Sequence, residues 1–524
     1  MMSLDRFLHS LHTANDESRP PDWEVDWEDA PLTYKLYRGL PVVPLSAEMP
    51  LSLTDRPTRA FPDLLSLGHL LWYAYGLTRV SQFPAGVTMY GGTQVPMYRR
   101  FVPSGGGLYP NELYVYWKTS DVPEGIYHYD VAHHRLVLLR EGNFDAYLTR
   151  ALGGQCEMEG CCGAVMVSVM FWKNFYKYHN FAYRLQGLDT GVLIGQLREA
   201  ARQFGYESAL CYQFLDRGVN HLLGLSDREE SVYAVIPLSA EPVRTWMHDG
   251  MRGQDGSTAM ELCRELPWIR TDHYVRSQNV KEFPVLTAMN AASMLESTDS
   301  LGCAGAGKHA DSGLRAVYLP EVERLSYDLA SLCRQRYSPE SDFVLKRVTS
   351  SDLAVLLREA ADRLAYPNDS QSPCRSDPLV SLYCCLYNVE GIPDGAYRYD
   401  RTEHALRCIA PGDHRLRLQE GMSLHNVNLF QVPICIHVAG NRNYYRSAFG
   451  YRGYRMQQME AGMLVHGLLL AASAIGMGGR PLLGFSPENS DDLYSLTGQG
   501  KTSLIQIPIG HYRQRPRLEG GLHS

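Results

Sequence analysis

The chain has 524 residues, 45% of them hydrophobic, and carries a formal net charge of −7. This length and apolar content suit about two to four domains with large cores, and the charge excludes a general nucleic-acid binder. The 12 cysteines show no paired CxxC spacing, so free thiols in a reducing cytosol are expected in place of a disulfide or zinc framework.

The opening stretch, MMSLDRFLHSLHTANDESRPPD, lacks the long apolar core of a signal peptide, and a cytoplasmic protein is expected. Residues 1–31 read as an N-terminal arm, and a first domain follows over 32–239. In it, Leu64 to Gly76 reads as a helix closed by glycine, followed by a Gly/Pro-rich loop to Pro110. Asn111–Trp117, Ala164–Trp172 and Val232–Leu238 read as strands. Residues 240–319 form an insert containing SLGCAGAGKHADSG, a small-residue stretch with the composition of a flexible linker. The second domain spans 320–524. There Ser351–Leu364 reads as an amphipathic helix capped by Ser351 or Asp352, and Pro433–Gly440 and Ser503–Gly510 as strands. Short strands alternating with long apolar helices indicate an α+β fold with helices covering a sheet. Ala461–Gly479 carries no charge and has the length of a membrane span. Glu460 and Arg480 bracket it closely, so a buried central helix is expected and no membrane partner.

The two domains are copies of one another. FAYRLQGLDTGVLIGQLREAARQFG (Phe181 to Gly205) aligns with RGYRMQQMEAGMLVHGLLLAASAIG (Arg452 to Gly476), so that Tyr183-Arg184 matches Tyr454-Arg455 and Asp189-Thr190-Gly191 matches Glu460-Ala461-Gly462. Upstream, EGIYHYDVAHHRLVLL (from Glu124) answers DGAYRYDRTEHALRCI (from Asp394). Such self-similarity predicts two homologous domains packed as an intrachain pseudo-dimer. A site between them can then keep half of its residues in each copy.

The sharpest chemical motif is RRFVPSGGGLYPNELYVYW, from Arg99 to Trp117. Three glycines after Pro103-Ser104 let the backbone approach a flat or anionic ligand, to which the Ser104 hydroxyl and loop amides can donate hydrogen bonds. The motif is neither a Walker A loop nor a GxGxxG fingerprint. Lys177-Tyr178 alone reads as a surface pair, and His128, His133 and His134 read as solvated, without a metal-like constellation.

PSGGGLYPNELYV, together with the paired YRxxxxDxG and YRxxxxEAG helices, resembles the SagB/ThcOx-type dehydrogenases, a branch of the FMN-dependent nitroreductase-like fold. The resemblance covers both halves but not the arm or the insert. It implies two tandem nitroreductase-like domains, FMN as cofactor, and oxidation of thiazolines or oxazolines to thiazoles or oxazoles in a ribosomally made precursor peptide. It also implies dioxygen as final acceptor and a cyclodehydratase partner that makes the azolines. In such folds FMN lies at a homodimer interface and each protomer supplies different loops. That division fits the uneven decay of the copies: the first keeps PSGGG, where the second reads DPLVSLYCCLYNV. The second keeps CRQRYSPESDF, GMGGRPLLGF and GHYRQRPRL.

The resemblance assigns Pro103, Ser104, Gly105 and Gly106 to the flavin, and Arg334, Arg336 and Ser338 to its phosphate, ribityl chain or ring edge, with Tyr337 standing where the family has a second arginine. It places the Gly484 N–H towards flavin N5 with Leu482 and Leu483 beside it, Arg513 and Arg515 at the phosphate, and Asn426 at a polar position before a strand. Lys177 and Tyr178 fall on the family's catalytic pair, whereas the second copy has Ala448 and Phe449 there. One complete composite site and one dead site are expected. Arg184, Asp189, Tyr454 and Glu460, present in both copies, are expected to be architectural. Two other readings fit the same motifs: an NAD(P)H-dependent nitro or quinone reductase or an oxidase of a carrier-bound group, and a non-catalytic scaffold of a peptide-modifying complex.

Overall fold

The computed structural model describes residues 2–12, 23–54, 61–82, 97–248, 256–304, 314–370, 378–514 and 518–521. Arg515 and most of SLGCAGAGKHADSG lie outside them. Each half builds a seven-stranded antiparallel sheet, and the two sheets share one strand order. In the first the order is Val42–Pro44, Arg135–Glu141, Gly125–Asp130, Asn111–Trp117, Gly163–Met170, Glu230–Ser239, Glu207–Ser208. In the second it is Ala316–Tyr318, Ala405–Pro411, Gly395–Asp400, Val380–Leu386, Ile434–Asn441, Lys501–Gly510, Gly478–Gly479. The edge strand Ala316–Tyr318 comes from the segment 240–319. Even the irregularities are duplicated. Register shifts fall at Ile126/Tyr127 and at Ala396/Tyr397. The hairpins that follow turn on His134 and His404, at φ 47° and 46°. Each of these histidines shares a hydrogen bond with a tyrosine hydroxyl, Tyr129 at 2.9 Å and Tyr399 at 2.8 Å.

The central strands are buried on both faces, which is why Asn111–Trp117 and Gly163–Met170 read as continuous runs without alternation. One face of each sheet packs on a core shared by both halves. The other face has its own cluster, around Tyr116, Met166 and Val235 in the first half and Tyr383, Cys435 and Tyr494 in the second. Two helices form the centre of the shared core, Ala182–Gln203 and Arg452–Ala474. They cross on the aligned glycines: a Cβ on Gly191 would lie 1.9 Å from the Met459 carbonyl oxygen, and one on Gly462 would lie 2.2 Å from that of Leu188. Tyr183 and Tyr454 stack across the same contact, 5.7 Å apart. The last strand, Leu518–Gly521, returns to the first half and pairs with Arg79–Gln82, which pairs in turn with Met97–Arg99.

Two expectations are corrected. The second-half helix runs Ser350–Asp362 and is capped by Thr349, whose Oγ1 accepts the Asp352 N–H at 3.0 Å and donates to the Asp352 carboxylate. His128 is buried, bonded through Nε2 to Glu112 at 2.9 Å, because Tyr37 and Tyr114 cover that face of the sheet. The uncharged stretch after Glu460 lies largely within the second central helix, and no helix among the described residues is long and apolar enough to cross a membrane. All eleven described cysteines are free.

Candidate active site

The glycine loop and the Lys177-Tyr178 pair, 70 residues apart in sequence, meet in space. Gly106 has φ +66°, and a Cβ there would lie 2.5 Å from the Tyr178 hydroxyl and 3.1 Å from Lys177 Nζ. Only glycine lets both side chains lie on this turn. The pair ends the helix Trp172–Tyr178, and His179 follows at φ 47°, ψ −138°. The equivalent residue of the other copy, Gly450, has φ 57°, ψ −144°. Holding a histidine in a glycine conformation costs roughly 1–3 kcal/mol. The rings of Trp23 and Phe175, each 4.8 Å from the imidazole, keep it there. Lys177 Nζ stands 5.1 Å from the ring centroids of both Tyr178 and Trp27, and burial lowers its pKa below the ordinary amine value.

The Ser104 side chain is already engaged. It donates to Asp189 Oδ2 at 2.5 Å and accepts the Tyr109 N–H at 2.9 Å, while Gly105 N–H donates to Asp189 Oδ1 at 3.1 Å. Asp189 is thus the anchor of the loop, and its backbone is what the loop can offer a ligand. Glu460 has the same task in the second copy, accepting the Leu379 N–H and, at 3.5 Å, the Tyr366 hydroxyl. Burial pushes Asp189 up to about 6 and Glu460 up to about 8. A carboxyl raised by folding favours the native state while protonated, so Glu460 subtracts stability as pH rises from its unfolded value near 4.5 through 8. Glu460→Gln removes that term. Its stability relative to wild type should therefore rise between pH 5 and pH 8, by up to a few kcal/mol, in urea unfolding. Parallel pH curves for the two proteins would contradict this assignment.

The second half approaches the loop from the other side. Arg336 donates to the Phe101 carbonyl at 2.8 Å and to Ser338 Oγ at 3.3 Å. Burial pushes its pKa down to about 10, and Arg79 and Arg99 act in the same direction. Arg79 bonds the Cys333 carbonyl at 3.1 Å, and Arg99 NH1 would lie 2.9 Å from a Cβ on Gly107. Among the described residues no carboxylate pairs with Arg336, and the Arg79 and Arg99 guanidinium groups lie near enough to act on it, which suits this end of the loop to an anion. Arg79 and Arg99 are absent from the set expected from sequence; the signal for Arg99 was its place just before the glycine motif.

Ser338 is linked onward through its carbonyl to Arg480 at 3.3 Å, and Pro339 would touch a Cβ on Gly478 at 2.6 Å. The chain then reaches Leu482–Gly484. Leu482 is fixed by bonds to Gln506, its N–H at 2.7 Å and its carbonyl at 3.1 Å. The Gly484 carbonyl accepts the Ser423 N–H at 2.9 Å, but its own N–H has no acceptor among the described residues. On the same side, Asn426 Oδ1 is buried without a partner. Arg334 is not brought to the loop. It is exposed, bonded to the Leu51 carbonyl at 2.8 Å, because it occupies the outward face of the last turn of Leu329–Gln335. Arg513 is also exposed, with its N–H on the Asp342 carbonyl at 2.9 Å.

The corresponding place in the other copy is filled by the chain itself. Tyr212 and Gln213, which align with Leu483 and Gly484, donate their N–H groups to the Asp369 carboxylate at 2.9 and 2.7 Å. The Gln213 side chain bonds Gly302 in both directions, at 3.0 and 2.7 Å. Gly302 lies so close to Ala448, the counterpart of Lys177, that a Cβ would be 2.0 Å from its carbonyl oxygen. Backbone amides that are open in one copy are therefore neutralised by an internal carboxylate in the other.

Residues 65–238 and 333–511 match the Nitroreductase family, together more than half of the chain. A solved structure described as a nitroreductase of Anabaena variabilis is 21% identical and superposes on 98% of this chain and 100% of its own, with a TM-score of 0.75. A protein of Methanocaldococcus jannaschii named as a nitroreductase is 27% identical over 133 residues, 25% of this chain and 64% of its own length. A chain of the E. coli microcin synthetase McbBCD complex with truncated pro-MccB17 bound aligns with 33% of this chain and 62% of its own, at 23% identity and a TM-score of 0.27, a likeness that carries no functional weight. With two matched domains, two sheets of one topology and a full-length fold relative, the chain belongs to the Nitroreductase family and has its oxidoreductase fold twice over.

Proposed function

We propose that this chain binds one FMN between its halves and oxidises thiazolines or oxazolines of a peptide to the aromatic azoles. The observation that carries the reading is the placement of Lys177 and Tyr178 directly over Gly106, with Arg336 of the second half bonded to Phe101 beside the same loop. The site suits a flavin: an open Gly484 N–H for a ring acceptor, a glycine turn without side chains, and the Arg336, Arg79 and Arg99 cluster for a phosphate. Ser104 and Gly105 fix the turn on Asp189, with Pro103 just before it, Ser338 accepts from Arg336, and Leu482 and Leu483 lie beside Gly484. When bound, FMN supplies the two-electron acceptor for the dehydrogenation. The work of the chain is to orient the azoline and take up the proton that leaves the adjacent ring carbon. Lys177, whose neutral form burial favours, is the base, and the Tyr178 hydroxyl orients it. The substrate then comes from a cyclising enzyme acting on a precursor peptide, the natural protein partner of this chain.

The test is to purify the protein, extract and quantify its flavin, and incubate it with an azoline-containing peptide under air. About one FMN per chain and loss of two hydrogens from the peptide are expected, because the second position is closed by Asp369 and Gly302. Two FMN per chain would overturn the single-site reading. Rapid bleaching by NAD(P)H without any azoline oxidation would make the protein a reductase, and a colourless protein with no affinity for FMN would leave only a scaffold.

A further inference from the structure

The N-terminal arm lies outside both matched segments, yet part of it packs on the helix that carries Lys177. Trp23 Nε1 donates to the Tyr176 carbonyl at 3.1 Å, and its ring meets Phe175 edge-on at 5.7 Å. Asp26 Oδ1 accepts the N–H groups of Glu28 and Asp29, both at 3.1 Å, which folds the chain tightly around Trp27. Asp29 is then clasped by the insert. Its carboxylate accepts the Gln278 and Asn279 N–H groups at 2.6 and 2.9 Å. Its carbonyl accepts Ser277 Oγ at 2.7 Å, and that hydroxyl accepts the Trp172 indole N–H at 3.0 Å. Fixed at both ends, Trp27 sets its ring edge-on to Tyr176 at 6.1 Å and beneath Lys177 Nζ at 5.1 Å.

We infer that Trp27 is a positioning residue for Lys177, holding the amine against Tyr178 and Gly106 and supplying a π-face that tunes its basicity. The inference rests on the reading of Lys177 as the base. Two effects oppose one another there: burial favours the neutral amine, whereas a ring face within about 6 Å favours the ammonium. Among the described residues, the other titratable or charged groups around it are Tyr176, Tyr178 and His179 on the same segment, Arg276, whose charge acts on Tyr176, and Lys281 of the insert, over Trp23 at 4.7 Å. In the described stretch around Trp27, Glu24, Asp26 and Glu28 are exposed, and Asp29 is engaged by the insert. Trp27 itself is 41% exposed, so replacing it leaves the core intact.

The test is a direct titration of the lysine in the purified, flavin-loaded protein. Reductive ¹³C-methylation labels the accessible lysines, and the Lys177 signal is identified by its loss in Lys177→Arg. In Trp27→Leu, which keeps an apolar contact but removes the π-face, the Lys177 midpoint should fall by about one pH unit. Trp27→Phe should stay within a few tenths of a unit of wild type. Coincident titrations of wild type and Trp27→Leu would overturn the inference. No peptide is used, so that failure would leave azoline oxidation standing. Absence of azoline oxidation with the shift present would instead remove the substrate assignment alone.

Discussion

Lys177→Ala should lower turnover about 10²–10⁴-fold while the protein stays yellow, with flavin content and affinity close to wild type. The separation follows from where the residue sits. The groups suited to holding FMN are the loop backbone, Gly484 and the arginine cluster, whereas the Lys177 side chain lies over the turn. Its amine lies 5.1 Å from the ring centroids of Tyr178 and Trp27 and is partly desolvated, and burial raises the neutral fraction needed for proton abstraction near neutral pH. Removing the side chain takes away the proposed base but leaves the surrounding packing, which is made by Phe175, Tyr176 and Trp23. Tyr178→Phe should have a smaller effect, since it removes an orienting hydroxyl and keeps the ring. The measurement is single-turnover oxidation of an azoline peptide, followed by mass spectrometry and flavin absorbance. A wild-type rate in Lys177→Ala would remove Lys177 from the chemistry.

Gly462→Ala should destabilise the protein by about 1–3 kcal/mol or more and weaken FMN binding at the same time. The added Cβ would lie 2.2 Å from the Leu188 carbonyl oxygen and 2.8 Å from the Val192 nitrogen. Those atoms belong to the backbone of the facing helix and cannot turn aside as a side chain could, so the helices must separate. Gly191→Ala should behave alike, its Cβ meeting the Met459 carbonyl oxygen at 1.9 Å. Because the proposed flavin anchors come from both halves, a shift at this crossing would move one set against the other. Gly498→Ala is the control, with nothing within 4 Å of its added Cβ. Thermal unfolding and flavin titration of the three variants provide the comparison. Equal melting temperatures for Gly462→Ala and wild type would show that the crossing is looser than these distances require.

Much of this was legible because duplication exposes what a fold needs. Residues kept in both copies proved architectural in ways the alignment could anticipate: Gly191 and Gly462 at the crossing, Asp189 and Glu460 on backbone amides before the first long strand of each sheet. Other features were hidden because they depend on partners remote in sequence. Ser104 reads as a free donor until Asp189, 85 residues away, accepts its hydrogen bond. His128 reads as solvated until Tyr37 covers it and Glu112 bonds it. Arg334 and Arg336 are near neighbours in one motif, but the helix end turns the first outward and the second under Phe101.

The sequence by itself determined that the protein is two copies of one α+β domain and that their motifs decayed in complementary halves, because periodicity, glycine placement and paired motifs are local properties of a chain. The tertiary structure decided which of the expected residues meet and which, like Arg334, do not. It set Lys177 and Tyr178 on Gly106 and brought Arg79, Arg99 and Trp27 into the constellation. It also closed the second position with Asp369. These are contacts between segments tens to hundreds of residues apart, fixed by the packing of two helices and two sheets, and no local pattern encodes them.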